Sequence, residues 1–206
     1  MTVCDAAFKQ RIREMCYDAL EANGFQRFQK EGVDWPINNN FNCWVGLNTG
    51  LYPDKLKINP FVGVHVKAIA KLKALCGRKY DRRVATYAVN MGELDRAKDE
   101  IGFCFTLFQS DELIKSECDR LALLYKTIGL EYAKSIATYE NLLPLLKARV
   151  PMLGGYPESF ACCLYLMGRG QEAGEFVEKF RVKEPSYFKD FSAAFLSILS
   201  SDAADK

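Results

Sequence analysis

The feature that most constrains this chain is a change in its hydrophobic period near Ser110. Before that point short alternating runs are mixed with two helical ones, and after it almost every apolar residue recurs at helical spacing. Period 2 buries one face of a strand and period 3.6 one stripe of a helix, so the switch divides the chain into a sheet-bearing half and a helical half. Phe8, Ile12, Met15, Cys16 and Leu20 predict an opening helix with Asp5 as its N-cap and Asn23-Gly24 as its stop. Phe25 to Val33 reads as a strand, and Asp34 to Asn40 reads as a loop by composition. Phe41, Cys43, Val45 and Leu47 alternate with Asn42, Trp44 and Asn48 and predict a half-buried strand. Thr49 to Lys57 reads as a turn-rich connection, followed by a strand through Val62, Val64 and Val66. A helix over Ala68–Cys76 stopping at Gly77 comes next, then strands over Val84–Met91 and Gly102–Phe108.

In the back half, Ser110 with Asp111 and Glu112 supplies a hydroxyl cap and two carboxylates for the positive end of a helix. Leu113, Ile114, Cys118, Leu121, Tyr125 and Ile128 form its buried stripe, and Gly129 is expected to end it. Helices follow over Glu131–Ala137 and Tyr139–Ala148, the latter kinked or shortened by Pro144. A helical hairpin turns at Gly168-Arg169-Gly170, a last helix carries Phe188, Phe191 and Phe195, and Ser200 to Lys206 reads as a frayed tail. The hairpin resembles one tetratricopeptide-type unit, but a stacked array needs at least three repeats. The expected fold is α+β: an N-terminal helix and small, mainly antiparallel sheet over residues 1–109, then an all-helical block over 110–206, packed as one unit.

At 206 residues, with 49% hydrophobic and 26% charged side chains, the chain can bury a substantial core. A formal net charge of +2 gives no general attraction to nucleic acid or membrane. No apolar run approaches the roughly 20 residues that span a bilayer, and Met1 to Met15 does not read as a secretory signal. The eight cysteines fall mostly at apolar positions, which fits free thiols in a cytoplasm better than a disulfide framework. Cys162 and Cys163 point about 100° apart on a helix, and the other cysteines lack Cys-x-x-Cys spacing, so no metal site is expected. No cofactor fingerprint is present.

Chemistry-bearing residues are few. His65 is expected on the strand face opposite Val62, Val64 and Val66, turned toward solvent or a partner rather than acting as a general base. Glu93, Asp95, Asp99 and Glu100 could hold a cation or exchange protons, but Arg96 and Lys98 between them favour a solvated linker. Lys71, Lys73, Arg78, Lys79, Arg82 and Arg83, with Tyr80 among them, form the densest basic run and the best candidate for an electrostatic docking patch. Trp44 lies on the polar phase of its strand. Either its indole is outward, with Tyr52 as a second aromatic anchor, or helices cover that face and Trp44 is core.

The segment Ala19-Leu20-Glu21-Ala22-Asn23-Gly24-Phe25-Gln26-Arg27-Phe28, the strand Phe41–Leu47, and the stretch from Phe105 through Asp111-Glu112 to Gly168-Arg169-Gly170-Gln171-Glu172-Ala173 resemble a bacterial group of uncharacterised α+β domains. The Thr49–Lys57 connection and the basic helix near Lys71 depart from that pattern. Members of such groups occur as immunity proteins beside polymorphic toxins. The resemblance implies a cytoplasmic, non-enzymatic inhibitor that binds a toxin or effector protein. Trp44, Tyr52, His65, Arg78, Lys79, Arg82 and Arg83 are then the expected partner-binding residues, with no catalytic residue, metal or cofactor. The alternatives are a nucleic-acid-binding accessory protein using the Lys71–Arg83 run and, last, an enzyme using the carboxylates near Glu93.

Overall fold

The structure is a computed structural model that describes residues 3–28, 32–94, 101–152 and 156–204. In chain order its elements are α1 (Ala6–Ala22), β1 (Gln26–Phe28), β2 (Gly32–Pro36), β3 (Phe41–Leu51), β4 (Leu56–Val66), α2 (Lys67–Leu75), β5 (Tyr87–Asn90), a 3₁₀ turn (Met91–Glu93), β6 (Phe103–Phe105), α3 (Asp111–Leu124), a π turn (Tyr125–Gly129), α4 (Leu130–Ser135), α5 (Tyr139–Arg149), α6 (Pro157–Leu166), α7 (Gly170–Lys183) and α8 (Pro185–Ala204). The α+β order expected from the sequence is present: an opening helix, a small antiparallel sheet and a helical C-terminal block.

The compact units do not follow the expected boundary at 109/110. One consists of residues 1–64 and 88–135, the other of residues 65–87 and 136–206. The chain therefore passes between them three times, after Val64, Tyr87 and Ser135.

The first unit holds the sheet, ordered β1-β2-β3-β4-β5 with β6 also pairing β4. The β1–β2, β2–β3 and β4–β6 pairs are antiparallel. The stretch Asp34–Asn40, read as loop, is strand over its first three residues: Asp34, Trp35 and Pro36 pair with Trp44, Cys43 and Asn42. Its polar residues are retained because the Asn42 amide donates to Asp34 Oδ2 at 2.8 Å in a buried pair. The turn itself is confined to Asn38–Asn40, where Asn38 Oδ1 accepts from the amides of Asn40 and Phe41. The expected Thr49–Lys57 connection likewise shrinks to a tight turn, closed by the Tyr52 amide donating to the Lys55 carbonyl at 2.8 Å.

Helix α1 is capped as the sequence predicts, with Asp5 Oδ1 accepting from Phe8 N at 2.8 Å. It packs on β1, β2 and α3. Between α1 and α3 the buried Cys16 and Cys118 thiols meet at 3.5 Å. Ser110 caps α3 by accepting from Leu113 N. The helix does not end at Gly129: it continues through the π turn into α4, which packs on β3. At Gly129 an added Cβ would sit 3.3 Å from Val62 and 3.4 Å from Met91, so glycine there serves close approach to the sheet rather than termination. The π turn carries the fully buried Tyr125, whose hydroxyl lies 2.8 Å from the Gly46 carbonyl on β3 and 3.1 Å from the Phe61 carbonyl on β4.

In the second unit α6 is the central helix. It packs on α2, α5 and α7, and α7 packs on α8. Every residue from Pro157 to Leu164 is buried, which explains the weak amphipathic pattern there. Phe188, Phe191 and Phe195 project one stripe of α8 into this core, each fully buried. α5 accommodates Pro144 within its length, and α8 extends to Ala204, past the Ser200 at which a frayed tail was expected.

Candidate functional site

The seven residues singled out in the sequence divide between the two units. Trp44 and Tyr52 belong to the first, and His65, Arg78, Lys79, Arg82 and Arg83 to the second. Trp44 is half-buried, its ring lying over Gly46, where an added Cβ would stand 2.4 Å from the indole. Tyr52 is exposed at the β3–β4 turn, with the ammonium groups of Lys55 and Lys57 each 6.0 Å from its ring centroid.

His65 corrects the sequence expectation. It is 1% exposed, not turned outward, because β4 is buried on both faces from Val62 to Val66. Its Nδ1 lies 2.9 Å from the Val84 carbonyl. A carbonyl can only accept, so Nδ1 carries a proton and donates it. The ring also meets Tyr80 edge-on at 6.0 Å. Beside it the Val66 amide donates to the Thr86 hydroxyl at 2.8 Å, so the start of α2 is tied to the segment that returns to β5.

His65 lies in the wall of a cleft of about 370 Å³ within the second unit. Local folding rules place the charged groups around it. α2 ends in a Schellman turn: Gly77 has φ +82°, its amide donates to Ala74, and the Arg78 amide donates to Lys73. That turn swings Arg78 back beside the last turn of α2, where Lys73 already faces the cleft. Next, Asp81 accepts from the Arg83 amide, Nε and Nη2 at 2.9, 3.0 and 2.8 Å, folding the loop over itself. The Arg83 guanidinium holds the Asp81 carboxyl down, to about 2. Arg82 is half-buried in the same loop and Lys79 is exposed.

The opposite wall comes from α6 and α8. Pro157 starts α6, and Glu158 follows in the first turn, a favourable place for an acid. Glu158 is 5% exposed. Its Oε1 accepts from Arg78 Nη2 at 2.9 Å and from the Tyr187 hydroxyl at 2.8 Å. Arg78 also reaches the Tyr187 carbonyl at 3.4 Å and lies over the Tyr187 ring, 5.4 Å from its centroid. Burial and the bond to Glu158 push the Tyr187 hydroxyl up to about 12. Lys73 Nζ approaches the Ser159 hydroxyl at 3.3 Å. Tyr156 completes the rim and contacts Tyr87 at 6.0 Å between centroids.

The cleft thus presents two engaged carboxylates and two lysines that have no carboxylate within ion-pair distance among the described residues. Sequence reasoning found one wall, the basic run, and missed Glu158, Tyr156 and Tyr187. Glu158 carries no local signal beyond its place in a first helical turn, and its partner is 80 residues away.

Of the acidic cluster, Glu93 lies in the 3₁₀ turn, whereas Asp95, Asp99 and Glu100 fall outside the described residues. Among the described residues no group of three or more His, Cys, Asp or Glu is arranged to hold a metal ion. No described helix is long and apolar enough to cross a membrane. No protein-family model matches the chain, and neither the curated proteins nor the solved structures yield a match.

Proposed function

We propose that this chain is a protein-binding module that recognises an acidic surface of a partner through the cleft of its second unit and the adjoining Arg78–Arg83 loop. The observation that carries this reading is the make-up of the cleft. Lys73 and Lys79 offer positive charge, while the Arg78–Tyr187 stack and Tyr156 offer arginine and tyrosine, residue types enriched where interfaces concentrate their binding energy. The Glu158 contacts hold Arg78 and Tyr187 in place before any partner arrives, which lowers the ordering cost of binding. Eight thiols without disulfide partners support action in a reducing compartment such as the cytoplasm. Within this reading, an inhibitor of a toxin or effector protein is the concrete form that the sequence resemblance suggests.

A nucleic-acid partner is less favoured, because a formal net charge of +2 gives no general attraction to a polyanion. The test is a tagged pull-down from the native cell after nuclease treatment, washed at high salt, with bound proteins quantified by mass spectrometry. A stoichiometric protein surviving the wash supports the module. Retention only of nucleic acid, lost steeply as salt rises, would replace it with the counterion-release behaviour of phosphate-backbone binding.

A further inference from the structure

We infer that the cleft is built for one particular anion, a phosphate monoester carried on an apolar or aromatic body. This deepens the reading above and rests on the cleft being a recognition site, though not on the ligand belonging to a protein.

The charge left for a ligand selects phosphate over carboxylate. Arginine recognises carboxylates with its planar fork, two parallel N–H groups meeting two oxygens. Here that fork is only partly open: Arg78 Nη2 is held by Glu158 Oε1 and the Tyr187 carbonyl while its buried Nε has no hydrogen-bond partner, and Arg83 is wrapped on Asp81. The charge that remains for a ligand comes from Lys73 and Lys79, two compact ammonium groups that act as point charges. With each cleft carboxylate matched by an arginine, the two lysines leave two positive charges. A phosphate monoester near neutral pH brings about −1.5 to −2 and neutralises both, whereas a single carboxylate leaves one behind.

The rest of the lining suits the body of such a ligand. Ile69, Ala70, Val84 and Ala85 are apolar, and Tyr156 and Tyr187 add ring faces. A volume of about 370 Å³ lies in the range of small-molecule sites, large enough for a phosphorylated ring. The contact between Lys73 Nζ and the buried Ser159 hydroxyl fixes one ammonium at the wall while leaving its other N–H groups for the ligand. Both a free small phosphate ester and a phosphorylated side chain of a partner have this chemistry.

The experiment is a titration of the full chain, ¹⁵N-labelled, with phenyl phosphate, benzoate, inorganic phosphate and benzyl alcohol, followed by amide shifts. Phenyl phosphate is expected to move residues 65–87 and 156–159 and to bind more tightly than benzoate or inorganic phosphate, with no shift from benzyl alcohol. Lys73→Gln and Lys79→Gln, each checked for unchanged melting, are expected to weaken phenyl phosphate about tenfold, the loss of roughly one charge-assisted contact. Benzoate binding as tightly as phenyl phosphate, or both variants binding like the parent, overturns the inference. Absence of shifts in the two segments also overturns it, whatever the pull-down returns. Conversely, shifts from phenyl phosphate with no protein captured would keep the phosphate site and remove the protein partner. A phosphotyrosine peptide set against a nucleoside monophosphate, judged by which binds more tightly, then tells the two sources apart.

Discussion

Replacing Tyr125 by Phe removes one buried hydroxyl that bridges two strands of the first unit. That hydroxyl is within hydrogen-bond distance of two carbonyls on adjacent strands, Gly46 at 2.8 Å and Phe61 at 3.1 Å, and the side chain is fully buried. One O–H supplies one proton, so the two carbonyls share it. Phenylalanine keeps the ring and its packing, and the loss is that of a buried donor with its acceptors left less satisfied. Such losses cost about 1–3 kcal/mol. A value of about 2 kcal/mol corresponds to a melting point lower by roughly 4–8 °C for a chain of this size, if unfolding is two-state. Urea denaturation of Tyr125→Phe should show a lower midpoint with an unchanged slope. A midpoint equal to the parent's would show that the hydroxyl is not holding β3 and β4. A changed slope would mean that the variant alters more than one hydrogen bond.

Other outcomes follow from the same contacts. Asp81 should titrate near 2 rather than at its ordinary 3.8, because Arg83 stabilises the charged form. With the folded value depressed, its contribution is complete above about 3.8 and is lost as pH falls toward 2, so ¹³C carboxyl shifts of Asp81 midway near 3.8 would contradict the clasp. Glu158→Gln should release Arg78 and lower the Tyr187 hydroxyl from about 12, read by ultraviolet titration, with a stability loss of about 1–2 kcal/mol. Burial, the larger cause, keeps that hydroxyl above its ordinary 10. A Tyr187 value unmoved by that variant would contradict the assigned hydrogen bond. Of the eight cysteines only Cys104 is not buried, and burial pushes the Cys43 and Cys163 thiols up to about 12 and Cys76 to about 11. Ellman's reagent should therefore label no more than one thiol promptly in the native protein and all eight in denaturant.

Elements whose making is local were legible in the sequence. Asp5 and Ser110 cap the helices they were expected to cap, and Gly77 and Gly168 both adopt the positive φ of a helix stop. Elements that depend on distant partners were not. Asp34 and Pro36 look like loop residues until Asn42 and Trp44 are set opposite them. Gly129 looks like a stop until the sheet it must approach is present. His65 was placed outward by alternation, a rule that holds only where one face of a strand is solvated, and β4 has no such face from Val62 to Val66. The two compact units each combine an early segment with a later one, which no change of period along the chain can disclose. For the candidate site, the basic run marked one wall, but its meaning depends on Glu158 and Tyr187. These residues convert Arg78 from a free cation into an occupied one and leave Lys73 and Lys79 as the charges available to a ligand.

Lys73 and Lys79 are the groups through which the cleft is proposed to recognise an anionic partner. The most direct test is to run the native-cell pull-down with the parent chain and with Lys73→Glu combined with Lys79→Glu, after confirming that both melt alike. One stoichiometric protein is expected on the parent, and its loss from the double variant. The same protein retained equally by both would place recognition elsewhere on the chain and rule out the two lysines as its basis.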